Sequence, residues 1–203
     1  MNEKELIARL QSRDEAAFEE LIRLYEKKVY TLCVRMCGNT EDAEEAAQDA
    51  FLALWRGIDR FRQESSLSTW IYRLAANACI DLLRRRKKSA GSISLDDEEL
   101  FVDAQDPSPQ PHELAERRET QRALREGLMS LPPEYRSILI LREIEGLSYS
   151  EIAAAQELEL GTVKSRISRG RTLLRNFLSV SGNFFEKSAS KVTECNREGM
   201  SAK

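Results

Sequence analysis

The chain has 203 residues, of which 41% are hydrophobic and 32% charged, with a formal net charge of -3. That length fits one ordinary domain or two small ones and excludes a large multidomain enzyme, while the apolar share is too high for a chain disordered throughout. The run Ile138-Leu139-Ile140-Leu141 is far short of the roughly 20 apolar residues of a membrane-spanning helix. The start, Met1-Asn2-Glu3-Lys4-Glu5, lacks the basic patch and apolar stretch of a secretory signal, so the expectation is a cytoplasmic protein with no direct membrane insertion.

Phe18, Leu21, Ile22, Tyr25, Val29, Leu32, Cys33 and Met36 recur at three- and four-residue spacing, which predicts one stripe of a long helix ending at Gly38-Asn39. Thr40 stands where an N-cap belongs, with Glu41, Asp42, Glu44 and Glu45 near the positive end of a second helix that buries Ala43, Ala47, Ala50, Phe51, Leu54 and Ile58. A polar stretch at 62–66 follows. Ser68 or Thr69 then caps a third helix through Trp70, Ile71, Leu74, Ala75, Ala78 and Leu82, ending in the basic cluster Arg84-Arg85-Arg86-Lys87-Lys88.

Segment 89–112 carries six acidic residues, no Lys or Arg, and alternate prolines at 107, 109 and 111, so it reads as an extended acidic linker. It holds the net negative charge of the chain, while the blocks on either side are near neutral and each contains a dense basic cluster. Such a cluster suits either a phosphate backbone or a solvated helix end. Beyond the linker, helix starts at about Glu113, breaks at Leu131-Pro132-Pro133, and resumes through Tyr135, Ile138, Leu139, Leu141 and Ile144 to Gly146. Two short helices follow, Tyr149 to about Gln156 and Gly161 to about Phe177, in the outline of a helix-turn-helix. The polar tail from Ser179 is expected to be disordered. The fold class is therefore all-α, with small helical domains at 1–88 and 113–178, the linker between them and a tail at 179–203.

A helix that reads base edges needs donors and acceptors on its exposed face and apolar residues beneath. Gly161 through Arg169 fits, with Val163 and Ile167 inward, Lys164, Ser165, Ser168, Arg169 and Arg171 outward or flanking, and Thr162 as the cap. These residues also carry a resemblance. Leu131-Pro132-Pro133-Glu134-Tyr135-Arg136, then Leu141 through Tyr149 with Glu151-Ile152-Ala153, then Gly161-Thr162-Val163-Lys164-Ser165-Arg166, resemble region 4 of bacterial sigma factors. Asp42-Ala43-Glu44-Glu45 through Leu54-Trp55 is similar to region 2.2, and Ser68 through Asn77 to regions 2.3 and 2.4. The resemblance spans about residues 5 to 178, and the short linker points to the extracytoplasmic-function (ECF) group.

The resemblance implies a dissociable subunit of RNA polymerase that selects promoters and begins strand opening, with the chemistry done by the polymerase core. It places Asp42, Glu45, Gln48 and Asp49 on the face that docks on core polymerase. It puts Phe61, Ser65, Tyr72 and Asn77 around a base flipped from the -10 element, where aromatic contact and edge hydrogen bonds offset the lost stacking. Trp70 is a wedge in that strand or a core residue, and Arg73 and Arg84 would contact phosphates. Thr162, Lys164, Ser165, Arg166, Ser168, Arg169 and Arg171 align with the helix that reads the -35 element. Three departures stand out: Glu157 at a turn position where glycine is usual, Gln156 in place of a buried leucine, and Gly170 inside the recognition helix, which is expected to loosen it.

Cys33, Cys37, Cys79 and Cys195 form no close metal-ligand framework, and buried thiols are expected, with a redox role for Cys195 the minor reading. No phosphate loop or nucleophile and base pairing appears, so neither an enzyme nor a cofactor or metal is expected. The acidic linker is a solubilising spacer or threads a basic polymerase channel. The partners implied are core RNA polymerase, promoter DNA and an anti-sigma protein, free or membrane-anchored, of a stress or envelope regulon. A sigma-like adaptor that titrates an anti-sigma protein and a stand-alone helix-turn-helix regulator are the competing readings.

Overall fold

A computed structural model describes residues 3–89 and 111–181, with side chains over 3–87 and 118–180. The described residues form eight α-helices and no strand. A first helix, α1 (Glu3–Gln11), is too short to show in the hydrophobic periodicity, yet it buries Leu6, Ile7 and Leu10. Helix α2 (Glu15–Cys37) starts at Asp14, whose carboxylate accepts from the backbone N–H groups of Ala16 (2.9 Å) and Ala17 (3.3 Å). It ends at Gly38, left-handed at φ 85°, where an added Cβ would lie 2.6 Å from Met129 Sδ.

Helix α3 (Thr40–Gly57) is capped by Asn39 and not by Thr40. Asn39 is the extended residue, and its Oδ1 accepts from the Asp42 N–H at 2.8 Å, whereas Thr40 already has helical backbone. The same one-turn reach corrects the start of α4 (Leu67–Ser89): Ser66 Oγ accepts from the Thr69 N–H at 3.1 Å, so neither Ser68 nor Thr69 is the cap. In the second half, α5 (Pro111–Ser130) places His112 in its first turn and not in the linker. Helix α6 (Pro133–Leu139) has proline at its first position and runs into a π-helical turn, Ile140–Ile144. Helices α7 (Tyr149–Gln156) and α8 (Leu160–Ser181) complete the chain described. Helix α8 thus runs three residues into the segment assigned to the tail, and passes unbroken through Gly170, which admits Leu139 of α6 to 3.2 Å from where a Cβ would stand. The expected linker between 90 and 110 and the tail beyond 181 lie outside the described residues.

Helices α2, α3 and α4 pack on one another, α8 packs on both α6 and α7, and α4 also lies against α6 and α7. One apolar core runs through both halves, from Leu21, Leu32, Leu54 and Ile71 to Ile138, Ile140, Val163 and Ile167. The sequence suggested modules joined only by a tether; the structure docks them. Arg136 pins the junction. Its guanidinium, 4% exposed, donates to the carbonyls of Met36 in the last turn of α2, Met129 (2.7 Å) and Leu131 (3.0 Å). Burial pushes its pKa down to about 10, so at neutral pH it is still a cation at the negative end of α2. Arg125 adds a bond to the Gly38 carbonyl at 2.6 Å. Cys33, Cys37 and Cys79 are free buried thiols, as expected, and hydrogen bonding from Cys33 and Cys37 together with burial pushes the Cys79 thiol up. Cys195 lies outside the described residues.

Candidate nucleic-acid and polymerase interface

The helix-turn-helix is α7 and α8. Ser148 Oγ accepts from the Glu151 N–H at 3.2 Å while Glu151 Oε2 accepts from the Ser148 N–H at 2.8 Å, a reciprocal box that fixes the start of α7. Helix α7 ends at Glu157, left-handed at φ 51°, a conformation that costs a residue with a Cβ about 1 kcal/mol. Beside it, the buried Nε2 of Gln156 has no hydrogen-bond partner among the described residues. Helix α8 begins at Leu160, so Thr162 sits inside its first turn and does not cap it: the Val163 N–H already bonds the Glu159 carbonyl at 3.1 Å. Val163 and Ile167 are buried, which turns Lys164, Ser165, Ser168 and Arg169 to solvent as one stripe. Arg166 is half-buried near Glu134. Arg171, on the flank, is held by Glu143, with Nε 3.0 Å from Oε1.

Ser148→Ala removes one half of the box and is expected to lower the stability of the second module by about 1 kcal/mol, seen as a lower thermal midpoint. The Ser148 hydroxyl is the chief cause holding the Glu151 carboxyl below the usual range. A carboxyl depressed in the fold stabilises above its unfolded pKa, and that stabilisation fades as pH falls through the folded one. The thermal midpoint of the wild type should therefore fall more on acidification than that of Ser148→Ala; parallel pH profiles would contradict the coupling.

Of the residues assigned to the -10 element, Phe61 and Trp70 come together. Their rings stack at 4.8 Å with 24° between planes, Phe61 buried and Trp70 half-buried against the core. Ser65 is half-buried in the loop just before, its Oγ donating to the Ser66 carbonyl at 3.4 Å. Tyr72 and Asn77 do not share one pocket with each other, since five residues along a helix turn the side chain by about 140°. Tyr72 is buried against the second module with its hydroxyl on Glu145, and burial pushes its pKa up to about 12. Asn77 lines a groove between α3 and α4 with Asp49, Ala53 and Asp81. Arg73 pairs with Glu157, and Arg84 with Glu134 at 2.8 Å.

The acidic face of α3 is also occupied. Asp42 is only 5% exposed, with Oδ1 2.6 Å from Arg86, because Asn39 and Arg86 enclose it. Glu45 lies 3.6 Å from Arg85 and 3.4 Å from Arg86, and Asp49 lies 3.4 Å from Arg85. Gln48 is exposed. Part of the first basic cluster thus neutralises α3. Sequence reasoning missed Arg136 and the carboxylates of Glu134, Glu145, Glu151 and Glu157 that meet the first module; their partners are distant in the chain, and only the unusual turn at Glu157 signalled anything.

Two helical modules, the second a helix-turn-helix with a polar and basic outward stripe, define a DNA-binding protein of the transcription apparatus. Residues 21–89 match the family described as Sigma-70 region 2, and residues 121–174 that described as Sigma-70, region 4. The chain is 34% identical over 182 residues to the ECF RNA polymerase sigma factor SigW of Bacillus subtilis (strain 168), covering 86% of this chain and 96% of that protein. It is 33% identical over 180 residues to the ECF RNA polymerase sigma-E factor of Escherichia coli (strain K12), covering 87% and 94%. Its fold is similar to that of CnrH in complex with the cytosolic domain of CnrY (TM-score 0.62, 24% identity, 89% of this chain and 99% of that chain). It is also similar to the sigma factor RpoE in complex with the anti-sigma factor NepR from Bartonella quintana (TM-score 0.57, 24% identity, 81% and 98%). The chain belongs to the ECF group of RNA polymerase sigma factors.

Proposed function

We propose that this sigma factor docks on core RNA polymerase through the exposed face of α3 and reads two promoter elements, one with each module, in the cytoplasm. The observation that carries the reading is the stripe Lys164, Ser165, Ser168 and Arg169 standing over buried Val163 and Ile167 in a helix-turn-helix. Region 4 would meet the -35 element in the major groove. Region 2 would hold the -10 strand with the Phe61 and Trp70 stack and with Tyr72, Arg73, Asn77 and Arg84. The chain supplies recognition and strand capture; the polymerase core carries out nucleotide transfer. An anti-sigma protein is the proposed regulator, supported by the complexes in which CnrH and RpoE were solved.

On the docking face, Glu45 and Gln48 are exposed, with Asp49 half-buried beside them and Asp42 buried behind. Asp49→Lys places a cation beside Arg85 and against the basic surface expected of the polymerase. Holoenzyme assembly, followed by the anisotropy of labelled sigma factor titrated with core enzyme, should weaken about tenfold, while the helical circular dichroism stays unchanged. Equal affinity of Asp49→Lys and wild type would remove α3 from the docking surface.

A further inference from the structure

Phe61, Ser65 and Trp70, three of the side chains proposed for the -10 strand, stand on or beside the loop between the 3-10 turn Ile58–Arg60 and α4. Both ends of that loop are gripped by α1, which carries none of the residues assigned to either promoter element. At the front end, Gln11 Nε2 donates to the carbonyls of Ile58 (3.4 Å) and Phe61 (3.1 Å). At the far end, the N–H of Leu67, the first residue of α4, donates to Glu3 Oε1 at 3.0 Å.

A helix leaves its first N–H groups without partners inside itself. Ser66 Oγ takes the one at Thr69, and Glu3 reaches in from another element to take the one at Leu67, where a carboxylate also faces the positive end of α4. Glu3 and Gln11 are the first and last residues of α1, about 12 Å apart along a rigid rod, so α1 fixes the separation of the two loop ends. The helix is itself seated by buried Leu6, Ile7 and Leu10, and by Arg9, which pairs with Asp14 at 2.8 Å and Glu20 at 3.2 Å. Just beyond α1, Arg13 stands on a left-handed backbone at φ 63°, donates to the Trp55 carbonyl and pairs with Asp59 in the 3-10 turn. The front of the loop is thereby tied to α1 twice.

We propose that α1 braces the -10 pocket: Glu3 and Gln11 are positioning residues that hold the loop 61–66, and with it the Phe61 and Trp70 stack, in the form that discriminates -10 bases, without themselves touching DNA. The inference rests on the assignment of that stack to the -10 strand. Base discrimination needs groups held to within about 0.5 Å. Releasing one end of the loop therefore lowers the preference for the right base more than the affinity for the strand as a whole, which phosphate contacts from Arg73 and Arg84 would sustain.

The test compares holoenzyme carrying the full-length wild type, Glu3→Gln, Glu3→Ala or Gln11→Ala. One probe is a fluorescein-labelled non-template oligonucleotide copied from the -10 region of a start site mapped with the wild type, and the second is the same oligonucleotide with one -10 base changed. The readout is the ratio of the two affinities. Glu3→Ala and Gln11→Ala should each lower it about fivefold, the worth of one hydrogen bond. Glu3→Gln should keep it, because an amide oxygen accepts from the Leu67 N–H as a carboxylate does. Affinity for core polymerase should be the same in all four. In the free chain, hydrogen exchange at the Leu67 amide, followed by NMR, should quicken about fivefold in Glu3→Ala and hold in Glu3→Gln, which decides the matter at that end if Gln11→Ala does not fold. Alanine variants that keep the full ratio, while Phe61→Ala loses it, would overturn the brace, as would Glu3→Gln behaving like Glu3→Ala. If Phe61→Ala and Trp70→Ala themselves leave the ratio intact, the assignment of the stack to the -10 strand fails, and the brace falls with it.

Discussion

Arg136→Ala is expected to cost about 3 kcal/mol or more in urea denaturation, the largest single loss in the fold. The guanidinium serves the carbonyls of Met36, Met129 and Leu131, and truncation leaves these acceptors buried without a donor, at about 1–3 kcal/mol each before any relaxation. Arg136→Lys should recover only part of the loss, because an ammonium on a flexible stem cannot reproduce the planar fork that spans them. Since Met36 belongs to α2 while Met129 and Leu131 flank the end of α5, the unfolding midpoint of both modules should fall together. A midpoint within experimental error of wild type would mean that water reaches these carbonyls and that the guanidinium is no pin.

The second large effect concerns the outward stripe of α8. Lys164→Ala combined with Arg169→Ala should lower initiation from a promoter bearing both elements by about a hundredfold, taking roughly 1–3 kcal/mol for each lost base or phosphate contact. Both side chains are exposed, so the thermal midpoint should hold. Holoenzyme assembly should also hold, because α8 lies away from α3. Affinity for duplex measured against salt separates the two kinds of contact: each lost phosphate contact flattens the slope by about one, and a lost base contact leaves it unchanged. Arg171→Ala is the internal control, because its guanidinium already pairs with Glu143 and its loss should weaken DNA binding less.

Helix spacing made the inward pair Val163 and Ile167 and the outward stripe legible, because a period of 3.6 alone fixes which residues share a face. The same holds for the stops at Gly38 and Gly146 and for the span of α7. Sequence spacing puts the caps one to three residues late at Thr40, Ser68, Thr69 and Thr162. Several Ser, Thr and Asn residues compete near each start, and which one caps depends on where the backbone first turns extended. Helix α1 escaped notice because its nine residues barely complete a hydrophobic repeat. The docked arrangement of the modules was not legible at all. Arg136 reads in the sequence as part of a family pattern and Glu145 as one more surface charge, and only the fold brings them to Met36, Arg35 and Tyr72. The resemblance groups Tyr72 with Asn77, while the helix places them on different faces of α4.

Transcription itself is the most direct measure of promoter selection by this chain. Core RNA polymerase, reconstituted with and without the purified full chain on genomic DNA, should yield with the chain a set of new RNA 5′ ends. Their upstream sequences should share two elements at fixed spacing, and those ends should disappear with the Lys164→Ala, Arg169→Ala double variant. Transcripts no different from those of core enzyme alone would contradict that selection.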